Sequence, residues 1–334
     1  MNGNFVWRDA GRVVVFRSDA VEQAPQLLRE HGFEPFELLS TERALAAAPG
    51  LADAAHAVHE VAAGQVPELA GALLPAVGGT RLVALGGGRV IDTAKAIASV
   101  SGARVAAIPT TLSGAEMTGI HRLPAGAEDR VREMVRPELI IADPRTMTGQ
   151  SESQLRASAM NALAHGADSL YTPFANPVSR LTALRGAELI ASSLDQGREE
   201  RDTAALAQGA ILCGYAIDSG AFAIHHVVCQ TLVRICGSPH AETNATILPR
   251  AMAFMVPRAP DNLAPLCESL GTDPENVEFR ILELGGNPAG LGELGADHSK
   301  LDQALDSMLL RPELAFTPEP PTRESLEGLI ERAW

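Results

Sequence analysis

Residues 82–95 read LVALGGGRVIDTAK, and their order decides the fold. An unbroken apolar run, the pattern of a strand buried on both faces, leads straight into Gly86, Gly87 and Gly88 and then into a helix-forming stretch. Glycines at such a junction let the backbone approach a phosphate closely. The helix start that follows offers unpaired N–H groups and the positive end of its dipole. A pyrophosphate is the natural guest. The triplet does not have the spacing of the usual dinucleotide fingerprint, and alone it reads more readily as a tight strand-to-helix turn. Asp92 and Lys95 follow three residues apart on the helix, where the plain reading is a first-turn acid and its partner. Only Lys95 and Lys300 are lysines; every other basic residue is arginine. A lysine kept inside the motif is either chance or a position where arginine would not serve.

Outward from this stretch the first half alternates strands and helices. Residues 12–16, 36–40, 81–85, 104–109 and 138–142 read as strands, and 20–31, 42–48, 52–63, 65–76 and 89–100 as helices. Such alternation implies a mainly parallel sheet covered on both faces, with ligands at the carboxyl ends of its strands. From about residue 150 the character changes to Ala-, Leu- and Arg-rich helical patterns: 154–170, 178–195, 201–217 and 219–235, then 243–255, 261–270, 276–284, 299–309 and 322–333. The chain therefore divides into an α/β nucleotide-binding domain, residues 1–148, and an all-helical domain, residues 149–334. No long linker joins them, so tight packing around a cleft is expected. Residues 317–321 (TPEPP) read as a stiff exposed connection.

The 334 residues are 46% hydrophobic and 20% charged, an ordinary globular mix for two domains. A net charge of −14 argues against a nucleic-acid footprint or an anionic membrane surface, and leaves an anionic substrate possible only where arginines gather locally. Cys213, Cys229, Cys236 and Cys267 form no C-x-x-C pair and no disulfide framework, which points to a reducing, cytoplasmic setting. Arg8, Asp9 and Arg12 interrupt any signal-peptide core, and no apolar stretch is long enough to span a bilayer.

Two further constellations carry chemistry. Residues 108–118, IPTTLSGAEMT, place the hydroxyls of Thr110, Thr111 and Ser113 just after a strand, suited to phosphate or carboxamide recognition or, more plainly, to a capped polar turn. His165 lies four residues after Asn161 on one helix, His226 sits in AIHHVVCQ and His240 in GSPHAETN. Any one of these histidines reads as an ordinary core or surface residue. Two from separate helices and one from a Pro-His turn could converge as Zn or Fe(II) ligands, although Asn161 is a poor neutral fourth.

In this order GGGRVIDTAKAIA, IPTTLSGAEMT, LIIADP, MNALAHGADSLYTPFANP, HHVVCQ and PHAETNATILP resemble the successive blocks of the iron-containing alcohol dehydrogenase superfamily, a dehydroquinate synthase-like fold. NALAH, the following ANP, PHAET and the ending PPTRESLEGLIERAW are similar to the maleylacetate reductase branch. The resemblance spans essentially the whole chain. It implies an active site in the cleft between the two domains and NADH or NADPH held by Gly86–Gly88 with Arg89, Asp92, Lys95, Thr110, Thr111 and Ser113. Ser40 and Thr41 would lie near the adenosine end. It implies reduction of maleylacetate to 3-oxoadipate in aromatic degradation, by a cytoplasmic homodimer acting on an anionic oxo-dicarboxylate. Metal-dependent members would place their ligands at Asn161, His165, His226 and His240, the first being an aspartate. Maleylacetate reductases share the asparagine and mostly work without metal, which would leave the four residues as a vestigial metal site serving the substrate by hydrogen bonds and as a proton source.

The chain departs from the family pattern in four places. GGGS is GGGR, putting Arg89 at the phosphate turn to pair with a pyrophosphate or to block it. The second histidine of H-x-x-x-H is Gln230. The segment after Met117 is shorter, with His121 and Arg122 either reaching the substrate or standing in solvent. The first strand runs into Arg17-Ser18-Asp19 instead of a glycine turn. Two alternatives follow: a metal-dependent alcohol dehydrogenase holding Zn or Fe, and a binding or tailoring protein that has lost hydride chemistry.

Overall fold

The computed structural model describes residues 11–127, 129 and 134–334. Two compact units emerge, one running to Gly149 and the other from Gln150 to Trp334.

The first unit is a six-stranded, wholly parallel sheet. In chain order it comprises β1 (Val13–Phe16), α1 (Ala24–Glu30), β2 (Glu37–Ser40), α2 (Glu42–Ala46), α3 (Pro49–Ala54), β3 (Ala57–Glu60), α4 (Val66–Leu73), β4 (Arg81–Gly86), α5 (Gly88–Ser101), β5 (Arg104–Pro109), β6 (Leu139–Ala142) and α6 (Pro144–Met147). The spatial order is β1-β6-β5-β4-β2-β3. From β4 the chain runs outward through β5 and β6, whereas β2 leads to β3 on the other side, so the strand order reverses between β2 and β4. The strand ends there, Ser40 and Gly86, mark where a parallel sheet opens a crevice.

The apolar runs are continuous because both faces are covered. Along β4, Leu82 and Ala84 pack with Ile91, Ala94 and Ile97 of α5, while Val83 and Leu85 pack with Leu28, Phe33, Phe36 and Leu51 on the opposite face. The expected helix over 52–63 is corrected here. α3 ends at Ala54, and Ala57–Glu60 pairs with β2 as an edge strand. The stretch is alanine-rich and short, and only the free edge of β2 makes it extended. The expected helix over 20–31 begins at Ala24, behind Pro25 in its first turn.

The second unit is helical: α7 (Glu152–Ser169), α8 (Pro177–Leu194), α9 (Thr203–Gly220), α10 (Ile224–Ile235), α11 (His240–Met255), α12 (Pro260–Ser269), α13 (Val277–Leu284), α14 (Leu301–Leu309) and α15 (Arg323–Glu331). The three 18-residue helices are each started by a side chain. Ser151 accepts the amide of Gln154, Asn176 forms a capping box with Ser179 ahead of Pro177, and Asp202 accepts the amide of Ala205. Glycine lets α8 and α9 approach closely: a Cβ on Gly186 would stand 2.8 Å from the Gly209 carbonyl oxygen and 2.6 Å from Cys213 Sγ. The expected helix over 219–235 is two helices, α9 and α10, bent by 99° across residues 221–223. Residues 317–321 are not uniformly exposed, since Thr317 and Pro321 are buried. All four cysteines are free and buried. No single helix among the described residues is long and apolar enough to cross a membrane.

Candidate active site

Each unit carries its own group of candidate residues. In the sheet unit, β4 delivers the chain to Gly86, and α5 starts at Gly88 with Gly87 as its cap residue and no side chain capping it. The glycines are required by contact. A Cβ on Gly86 would meet Val90 Cγ2 at 2.6 Å, and one on Gly87 would meet Thr111 Cγ2 at 2.9 Å. A Cβ on Gly88 would stand 3.1 Å from Ser113 Oγ. The Thr110 amide donates to the Gly86 carbonyl at 3.0 Å, which clips the two turns together. Thr111 Oγ1 is a buried hydroxyl with no protein partner, and Arg89 is exposed in the first turn of α5. An uncapped helix start, a Cβ-free cradle and an unpartnered hydroxyl are what a phosphate-bearing cofactor needs.

Other residues expected near the cofactor also make contacts within the protein. Lys95 is fully buried. Its ammonium pairs with Asp92 at 2.7 Å and donates to the carbonyls of Ala115 (2.9 Å) and Thr118 (3.1 Å). A compact ammonium with three diverging donors fits this point, and the planar fork of arginine does not. Ser40 is also fully buried and donates to the Leu85 carbonyl at 2.8 Å, while Thr41 caps α2 by accepting the Ala44 amide. His121 neither reaches outward nor stands in solvent. It is buried, its Nε2 accepting the Val135 amide at 3.3 Å and its Nδ1 lying 3.0 Å from the Arg122 carbonyl; Arg122 is exposed. The remainder of that shorter segment falls partly on residues outside the described set. Glu116, just after the hydroxyl-rich turn, is wholly buried with no side-chain partner, and burial lifts it to about 7.

In the helical unit the imidazoles form a cluster around His226. Its ring stacks on His165 with centroids 4.9 Å apart and planes at 15°. It meets His225 edge-on at 4.9 Å, and Phe222 lies at 5.7 Å. His225 Nε2 contacts Asn244 Oδ1 at 2.9 Å, and Asn244 in turn donates to the His240 carbonyl at 2.7 Å. His240 is the first residue of α11, not part of a turn, and is exposed. Asn161 and His165 are buried on α7. Burial and the neighbouring imidazoles push His165 well below the usual histidine range, and the same causes bring His225 to about 3. Both rings are neutral at physiological pH. His165 Nδ1 and His226 Nε2 are buried without a hydrogen-bond partner. Gln230 accepts from Arg311 at 3.2 Å, and Arg311 is also paired with Glu313.

Sequence reading missed Asp168, which joins the cluster from α7. It is fully buried and bonds His226 Nδ1 at 2.8 Å. Burial drives its carboxyl up, but the bond and charge of His226, with His225 and Tyr171, outweigh that and hold it at about 2. The available signal was spacing: Asn161, His165 and Asp168 follow at four and three residues, one stripe of a helix.

Residues 156–334 match the C-terminal model of the Fe-containing alcohol dehydrogenase family, and residues 15–121 match a second model, iron-containing alcohol dehydrogenase. The chain belongs to the iron-containing alcohol dehydrogenase family. It is an oxidoreductase, related to maleylacetate reductases. It is 32% identical over 254 residues to the maleylacetate reductase of Pseudomonas sp. strain P51, covering 73% of this chain and 71% of that one. It is 33% identical over 250 residues to maleylacetate reductase 1 of Rhodococcus opacus, covering 72% and 69%. The crystal structure of maleylacetate reductase from Rhizobium sp. strain MTP-10005 superposes with a TM-score of 0.87 at 29% identity, covering 99% of this chain and 98% of that one. An iron-containing alcohol dehydrogenase from Corynebacterium glutamicum gives 0.88 at 28% identity, covering 99% and 96%.

Set against the iron of the family name, the donors are mixed: His165 and His226 each keep an unsatisfied buried nitrogen. Asn161 offers a neutral amide, Asp168 is spent on four hydrogen bonds, and among the described residues no group of three His, Cys, Asp or Glu side chains could hold a metal ion.

Proposed function

We propose that this oxidoreductase reduces the carbon–carbon double bond of maleylacetate to give 3-oxoadipate, with NADH or NADPH as reductant and without a metal ion, in the degradation of aromatic compounds. The observation that carries the reading is the Asn161–His165–His226 face: a neutral amide beside two imidazoles, each with an unpaired buried nitrogen. A neutral amide is a weaker ligand for a cation than a carboxylate, whereas an oxygen-rich dianion needs hydrogen-bonding groups. Gly86, Gly87 and Gly88, with Arg89, Thr110, Thr111 and Ser113 around them, would hold the cofactor phosphates. When bound, the nicotinamide supplies a hydride to the polarised double bond. His165, His226 and His240 steady the charge that builds on the conjugated carbonyl, and Asn161 orients the substrate. One proton from an imidazole or from water completes the reduction. We infer a cytoplasmic homodimer.

Fluorescence titration of the purified protein with NADH and NADPH, followed by turnover with maleylacetate, tests this reading. Micromolar binding and cofactor oxidation are expected. Binding without turnover removes the substrate assignment. Failure to bind either nucleotide leaves a binding or tailoring protein on this fold. Protein purified without chelator should carry substoichiometric metal; stoichiometric Zn or Fe whose removal abolishes activity would restore the metal-dependent alcohol dehydrogenase.

A further inference from the structure

The Asp168 carboxylate gathers four donors from three places in the chain. Tyr171 donates its hydroxyl to Oδ1. The amides of Ala223 (3.0 Å) and His226 (3.3 Å) and the His226 ring Nδ1 (2.8 Å) all converge on Oδ2. The two amides belong to the start of α10, which has no cap of its own from Ala223. A side chain of α7 therefore caps α10 and binds the ring of the histidine in its first turn. The approach to that turn is strained, since Ala221 holds φ 57° and ψ −179°, a region that suits glycine. The strain persists because its surroundings fix it: Thr172 donates to the Gly220 carbonyl, the Ala221 amide to the Ile217 carbonyl, and the Asp168 bonds hold the residues that follow.

Tautomer follows from the same contact. An ionised carboxylate only accepts, so the hydrogen on His226 must lie on Nδ1, and Nε2 is the nitrogen left for a ligand. Nε2 is the buried atom that no protein group satisfies. We propose that Asp168 is the positioning residue of this active site: it fixes where the His226 imidazole stands and leaves Nε2, and only Nε2, as the ring nitrogen that faces a ligand. The proposal rests on the reductase reading for its kinetic consequence but not for its geometry. His165 and His225 have no carboxylate partner, so of the three buried rings only His226 is held in this way.

The test uses Asp168→Asn, Asp168→Glu and 15N NMR of the histidine rings, with His226 assigned by its loss in His226→Gln. In Asp168→Asn the amide oxygen still accepts the α10 amides, but the ring loses its carboxylate. With maleylacetate, kcat should fall about 100-fold while KM and the Kd for the nicotinamide nucleotide stay within about threefold. Asp168→Glu should recover part of kcat. The spectrum should show His226 protonated at Nδ1 in wild type and shifted toward Nε2 protonation in Asp168→Asn. A folded Asp168→Asn with unchanged kcat, or a loss lying wholly in KM, overturns the proposal. So does a wild-type His226 lacking the Nδ1 proton, a measurement that stands if Asp168→Asn does not fold. The NMR result needs no substrate, so a wild type that fails to turn over maleylacetate defeats the functional reading while the positioning of His226 is still decided.

Discussion

Glu116 carries a cost that its neighbours do not relieve. Its carboxylate is buried with no side-chain partner, and burial outweighs its own backbone amide and the nearby Lys95 to lift it to about 7. The sign follows. The folded value lies above the ordinary 4.5, so the folded protein binds the proton more tightly, and stability falls as pH rises from about 4.5 to about 7. Glu116→Gln should therefore match wild type near pH 4.5 and exceed it by up to about 3 kcal/mol above pH 7. Urea unfolding of both proteins across that range checks it; a difference that does not vary with pH would contradict it. Lys95 was partly legible as the lysine that persists among arginines. Asp168 was not, because an aspartate in a helix reads as exposed until the chain places His226 against it.

Among the elements, the break between α9 and α10 matters most. Ala221 at φ 57° should tolerate glycine, so Ala221→Gly should raise stability by about 1 kcal/mol in thermal unfolding while lowering kcat, as the α10 start loses rigidity. The α8–α9 crossing should respond in the opposite sense. Gly186→Ala would press a methyl against the Gly209 carbonyl and Cys213 Sγ and cost about 1–3 kcal/mol, read as a lower Tm. Neither feature was visible beforehand. Residues 219–235 have apolar spacing throughout, and the bend depends on a backbone conformation that composition does not encode. The strand Ala57–Glu60 was hidden for a related reason: its extended form comes from ladder bonds to β2, a partner seventeen or more residues away in the chain.

For the molecule as a whole, the net charge of −14 opposes the approach of a dianion. With maleylacetate, kcat/KM should rise between low and moderate ionic strength as screening shortens the reach of that field. A fall would mean that a local cationic patch dominates the encounter. The parallel sheet was legible because its strands are apolar on both faces, a pattern set by helices covering both sides. The strand order β1-β6-β5-β4-β2-β3 was not, since local pattern carries no information on which strands become neighbours.

The sequence by itself determined the α/β and helical halves, the glycine turn at 86–88 and the family to which the chain belongs, because periodicity, glycine and ordered motifs are local properties of the chain. Only the tertiary structure decided that Lys95, Ser40 and His121 are buried and bonded within the protein, that Asp168 holds His226, and that Glu116 is left unpaired. Those outcomes depend on burial and on contacts between residues distant in sequence. They set which polar groups spend their hydrogen bonds within the protein and which nitrogens and hydroxyls are left over for chemistry.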